Sequence, residues 1–156
     1  MERVWVTRAS PTVQAVVDPV TAACEQGFVP TTVHLVRNPS VEEAADEALT
    51  TIEAIVDTYG ESVTTHTERL ADERDFEDIA EYYRDAVTDA PADSEIAVDL
   101  TPGRKFMAAM AFQAARQFDA DRIHYLYIHD SKYYDRPYPE VPRTAVDLMD
   151  FTEVIG

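Results

Sequence analysis

Residues 98 to 110, "VDLTPGRKFMAAM", carry the most chemically suggestive spacing in the chain. An apolar run ends at Asp99. Thr101, Pro102 and Gly103 follow, then two adjacent cations, Arg104 and Lys105, and then a run of small and apolar residues. The pattern reads as a strand, a tight turn and the first turn of a helix. Such a turn presents free backbone N–H groups and the positive end of a helix. Cations at a helix N-terminus oppose the macrodipole by about 0.3–1 kcal/mol each. Two in succession are locally unfavourable, and broken local rules concentrate at functional sites. The chemistry that suits them is anion binding, with phosphate as the leading anion. Thr101-Pro102 also fits an N-cap followed by proline at the first helical position. Gly103 also fits an ordinary tight turn.

Other cations fall at matching points. The first apolar strand ends at Thr7 and is followed by Arg8 and Ser10; after the second comes Arg37. After the fifth come His129, Lys132 and Arg136. Six of the 13 basic residues, including both lysines, then follow the carboxyl ends of strands. In an open parallel sheet ligands bind at that edge, where the strand order reverses. Ser10 and Thr12 also suit capping of the first helix.

Six strands and four helices must position these residues, and their periodicity is legible. Strands are expected at 2–7, 31–37, 62–67, 94–100 and 122–128, with a sixth near 145–151. The third is the most polar and belongs near an edge. Helices are expected from Ser10-Pro11-Thr12 to about Gln26, from a Ser40-Val41-Glu42-Glu43 capping box to about Tyr59, from an Asp75 cap over 76–88, and over 104–118. Alternating strands and helices imply an α/β fold, a Rossmann-like three-layer sandwich with a mostly parallel sheet of five or six strands. Orders 3-2-1-4-5 and 2-1-3-4-5 fit equally. The chain reads as one domain, 1–156, with a proline-rich tail from 129 expected to be a lid or binding arm. Tyr133, Tyr134 and Tyr138 there suit stacking on bases or packing on a partner subunit.

Composition bounds the function. The 156 residues carry a formal net charge of -17, with 30 acids against 13 bases, and 46% of residues are hydrophobic. That charge argues against duplex DNA and anionic membranes as partners. An acid-rich, lysine-poor surface suits solubility in concentrated salt, and also suits an ordinary acidic protein. At about 1 M salt the Debye length is about 3 Å, so an anionic ligand there must be held by direct contact. No stretch suggests a signal peptide or a membrane span, and the chain reads as soluble and cytoplasmic. Cys24 is a lone, buried small hydrophobe by its surroundings. His34 and His124 fall within strands as core or sheet-face residues, and His66 ends the third. No metal cluster, Walker loop, G-x-G-x-x-G or G-x-S-x-G occurs, so no metal or cofactor is expected.

The run Asp99-x-Thr101-x-Gly103-x-Lys105-x-Met107, between strand and helix, resembles the signature of the CRISPR-associated Rossmann-fold (CARF) domains. The first-strand loop with Arg8 and Ser10 sits where that family has its other ligand-contacting motif. The resemblance extends through the strand–helix alternation to about residue 128. It implies a homodimer that binds a cyclic oligoadenylate, or a similar small nucleotide, across its two-fold axis. Thr7, Arg8, Ser10, Thr101, Gly103, Arg104, Lys105 and Lys132 are then the candidate ligand contacts. Some members cleave the ring without metal, through the ribose 2′-OH. For such a ring nuclease the resemblance makes Lys105 and Ser10 the catalytic candidates, one stabilising phosphate charge and the other orienting the group. Pro102 departs from the pattern, standing where the family often has glycine and removing one backbone donor. No effector ribonuclease motif or winged helix follows, which implies a stand-alone sensor or ring-cleaving enzyme. A scaffold domain with a vestigial crevice is the competing reading.

Overall fold

The computed structural model describes residues 1–155. Five strands alternate with helices: β1 (Arg3–Arg8), α1 (Val13–Glu25), β2 (Thr32–Arg37), α2 (Glu42–Thr58), β3 (Thr64–Arg69), α3 (Phe76–Thr88), β4 (Glu95–Asp99), α4 (Lys105–Gln117) and β5 (Arg122–Ile128). Three short 3-10 turns then lead to β6 (Val146–Asp150) and α5 (Phe151–Ile155). The sheet order is β3-β2-β1-β4-β5-β6. The first five strands are parallel and β6 runs antiparallel to β5. Of the two orders the pattern allowed, the structure takes 3-2-1-4-5, with β6 appended.

The strand alternation divides the core into two layers. Trp5, Val33, Leu35 and Ala97 face α1 and α2, where Val16, Val20, Ala45, Ile52 and Val56 meet them. Val4, Val6, Val36, Val98 and Ile123 face α3 and α4, against Ile79, Tyr83, Met107 and Ala111. Burial on both faces explains why β1 and β4 read as continuous apolar runs. β3 is almost wholly exposed, as its polar sequence requires of an edge.

Local details differ from expectation at β3 and at two helix starts; at α3, Asp75 holds the N-cap position but its carboxylate accepts from Asp72 N–H and caps nothing in the helix. The Ser40 capping box does not form. Asn38 lies earlier and accepts from the Ser40 N–H and hydroxyl, so a 3-10 turn precedes α2. Glu42 is drawn instead to the buried Arg37 guanidinium at 2.6 Å. β3 begins two residues late, because the ladder starts with Thr64 N–H donating to Thr31 O. Among the described residues no helix is long and apolar enough to cross a membrane.

Candidate functional site

The strand order reverses between β1 and β4, so the loops leaving these two strands diverge to opposite faces and open a crevice at their carboxyl ends. One wall is residues 9–12, before α1. The other is 100–104, before α4.

The β4–α4 loop is pinned from beneath. Asp99 is fully buried, and its carboxylate accepts from the Thr101 N–H at 3.0 Å and the Thr101 hydroxyl at 2.8 Å. The same hydroxyl accepts from Leu126 N–H at 2.9 Å, tying the loop to β5. Thr7 Oγ1 donates to Asp99 from β1 at 3.4 Å. Burial pushes the Asp99 carboxyl up to about 6, against the opposing pull of the Thr101 bonds and Arg8. Arg8 runs under the turn, donating to Leu100 O at 2.7 Å and to Asp99 O and Tyr83 Oη at 3.3 Å. Gly103 closes over it at φ +89°; a Cβ there would lie 2.3 Å from Arg8 Nε. The glycine is therefore required twice, by its left-handed backbone and by the side chain beneath it.

This geometry corrects the expectation that Thr7 and Arg8 touch ligand. Both are 0% exposed. Their side chains hold the loop from below, because Arg8 is long enough to reach under the turn and finds carbonyl acceptors there. Nor do the six cations gather into one pocket. Arg37 is buried against Glu42 and Asp46. Arg104 pairs with Glu73 at 3.0 Å and faces a depression on the β2–β3 side of the crevice, lined by Asn38, Ser40 and Arg74. Lys132 lies 3.9 Å from Asp130 and over the Tyr133 ring. His129 is held by Asp147. Arg136 is exposed on the arm.

Lys105 differs. It is the first residue of α4, is exposed, and makes no ion pair or side-chain hydrogen bond among the described residues. The helix it opens has no side-chain cap and no acid in its first turn. Its positive end is thus left uncompensated.

Two residues before Lys105, Gly103 helps to line a cavity of about 300 Å³. Ser10, Thr12, Gln14 and Asp18 form one wall, Thr101 to Gly103 a second, and Tyr125 to Ile128 with Tyr134 the third. No arginine or lysine lines it. Ser10 Oγ accepts from Thr12 N–H at 3.1 Å, which leaves its own proton free to donate. Asp18, 4% exposed, accepts from Tyr138 N–H at 3.0 Å, and burial pushes its carboxyl up to about 7. Gln14, Asp18, Tyr125 and Tyr127 were not singled out from the sequence. The signals were present: one acid inside the apolar run "AVVDPV", and two tyrosines alternating outward in "RIHYLYI".

The arm after β5 is mostly a strap. Tyr138 is buried, Arg143 stacks on its ring at 3.7 Å, and the Arg143 guanidinium grips both Glu25 oxygens. Tyr138 therefore serves its own chain and neither a base nor a partner. Tyr133 is half-buried against the same apolar cluster. Tyr134 alone of the three reaches the cavity.

The molecule is thus a Rossmann-like sandwich with its crevice at the strand-order reversal and, among the described residues, one unpaired lysine on the rim. No family model and no curated protein matches the chain. Among solved structures it is similar to Enterococcus italicus Csm6 bound to cyclic hexa-2'-fluoro-hexa-dAMP, with a TM-score of 0.62 at 12% identity. The match covers 99% of this chain and 43% of that one, so the chain spans less than half the length of the protein it resembles.

Proposed function

We propose that the chain is a homodimeric sensor domain that binds a cyclic oligoadenylate, in CRISPR-type antiviral signalling, at the β1–β4 crevice. The observation that carries this is the division of labour at the site. Lys105 and the uncapped start of α4 offer positive charge at the rim, while the adjoining cavity is lined by tyrosines and two acids, Asp18 and Asp135, but no cation. A phosphate suits the rim and is disfavoured inside the cavity; an uncharged, aromatic, amine-bearing base suits the cavity. Tyr125, Tyr127 and Tyr134 supply stacking surface, worth about 1–3 kcal/mol per base in other single-strand sites. The likeness to a Csm6 bound to a cyclic hexanucleotide supports this ligand class. The net charge of -17 repels phosphates, so affinity must come from these direct contacts.

Ring cleavage is the second reading, and the free Ser10 proton favours it. The 2′-oxygen would attack the adjacent phosphorus as its proton passes to Ser10 Oγ, the P–O5′ bond would break as Ser10 gives its own proton to the departing 5′-oxygen, and the products would be a 2′,3′-cyclic phosphate and a 5′-hydroxyl with Ser10 unchanged. Lys105 would offset the charge that develops on the phosphate.

Thermal unfolding with cyclic tetra-adenylate, cyclic hexa-adenylate, linear oligoadenylate and AMP tests the proposal. Ligand at about 100 times its dissociation constant adds about 2.7 kcal/mol. For a chain of this size that raises the midpoint by roughly 5–10 °C. A cyclic ring should shift it and AMP should not. The proposal fails if no ring does. Linear products formed in EDTA identify the enzyme, and an intact ring identifies the sensor alone.

A further inference from the structure

A second concave site lies on the opposite side of the molecule from α1 and shares no residue with the crevice cavity. It is a groove of about 390 Å³ between α3 and the exposed sheet face of β2 and β3. Two histidines lie on its floor. His34 and His66 are register partners on adjacent parallel strands, and their rings stack at 5.0 Å with an interplanar angle of 20°. Among the described residues no protein group hydrogen-bonds a ring nitrogen of either. Two imidazoles side by side, each with an unused nitrogen, form the one histidine–histidine pair in the sheet register among the described residues.

The groove wall is strongly acidic. Asp78, Glu81, Asp85 and Asp89 recur at helical spacing along one side of α3, and Glu68 joins them from β3. No lysine or arginine lines the groove. Arg84 offsets Glu81 and Asp85 from outside it. Asp78 and Asp89 have no ion pair among the described residues. Like charges four residues apart destabilise a helix, and Asp89 at the α3 C-terminus opposes the macrodipole. Glu68, Asp78 and Asp89 thus stand without an ion pair among the described residues, around two bare imidazoles, at a cost that a bound cation would offset.

We propose that this groove is a transition-metal site, with His34 and His66 as its nitrogen ligands. Imidazole is a borderline-soft donor that suits Zn²⁺, Ni²⁺ and Cu²⁺ over Mg²⁺ or Ca²⁺. No three His, Cys, Asp or Glu groups converge on one point among the described residues. The protein therefore supplies a two-nitrogen chelate, water fills the remaining positions, and the α3 carboxylates hold the charge from a second layer. The rings stack face to face, so their in-plane nitrogens converge on a metal at about 2.0–2.1 Å once one ring turns out of the stack. His66 sits on the exposed edge strand and has room to do so.

The test is calorimetric titration of the intact chain with ZnCl₂ alone, repeated with MgCl₂, in the native protein and in His34→Ala, His66→Ala and His129→Ala. The proposal expects saturable zinc binding, about tenfold or more weaker in each of the first two variants and unchanged in the third. Magnesium should give no matching isotherm. Because His34 is half-buried and its replacement also removes packing, His66→Ala is the deciding variant, its fold checked by metal-free melting. Electron paramagnetic resonance of the Cu²⁺-loaded chain should show two nitrogen donors, and one in His66→Ala. Zinc binding that ignores both histidines, or that magnesium equals, would assign the groove to diffuse acidic attraction and overturn the proposal, as would no zinc binding at all.

Discussion

Replacing Gly103 with alanine probes the joint on which the crevice depends. Two costs are separable. The backbone stands at φ +89°, where a Cβ costs roughly 1–2 kcal/mol. The new methyl would also lie 2.3 Å from Arg8 Nε and 2.8 Å from Cδ. Arg8 cannot retreat, since it is fully buried and bonded to Leu100 O, Asp99 O and Tyr83 Oη. Losing even one such charged hydrogen bond costs about 1.5–3 kcal/mol. The sum is roughly 2.5–5 kcal/mol, or a fall in midpoint of about 5–20 °C for a chain of this length. Gly27 supplies the control. Its φ is +99° and a Cβ there would meet nothing within 4 Å, so Gly27→Ala should show the backbone cost alone. Denaturant melts of both variants decide the matter. If Gly103→Ala is no worse than Gly27→Ala, Arg8 is not the rigid brace described and the loop is free to move.

Asp18→Asn should stabilise the chain at pH 8 and flatten its pH dependence. The native carboxyl titrates near 7 and the unfolded one near 3.8, so the native state holds more protons between those values. Stability from this group is therefore greatest below about pH 4 and declines as pH rises towards 7, by roughly 4 kcal/mol at most. Asparagine keeps the acceptor for Tyr138 N–H without the charge; an unaltered slope in urea melts from pH 5 to 8 would contradict the burial argument. Arg143→Ala should release the strap. An exposed ion pair alone is worth little, but this guanidinium also stacks on Tyr138 and binds the Tyr138 and Val141 carbonyls. A loss of about 1–2 kcal/mol, with faster hydrogen exchange over 137–145, is expected; unchanged exchange would show that Tyr138 burial alone holds the segment.

The fold was legible because its two signals reinforce each other. Apolar runs such as "RVWVT" and "EIAVD" mark strands buried on both faces, and helical periodicities separate them. Strand order was not legible, because both candidate orders bury the same faces. The β4–α4 loop was legible from its broken helix-start rule. The roles of its neighbours were not. Arg8 and Lys105 are both cations at strand ends, yet one is fully buried beneath a glycine and the other is exposed. Only the path of the chain separates them, since β1 is central and covered while α4 begins at the rim. The cavity wall escaped notice for a related reason. Asp18 resembles a stray acid in a buried helix until Tyr138, 120 residues away, is brought against it.

The most direct measurement is a titration of the chain with a cyclic oligoadenylate at fixed salt, native against Lys105→Ala. A charged hydrogen bond to phosphate contributes about 1.5–3 kcal/mol, so the variant should bind roughly tenfold to a hundredfold more weakly, while its melting temperature in the absence of ring should be equal to the native value or slightly higher, since a charge opposing the macrodipole is removed. The native protein should take up one ring per two chains. Equal affinity in the variant, or no heat of binding in the native protein, would contradict the assignment of the rim to phosphate.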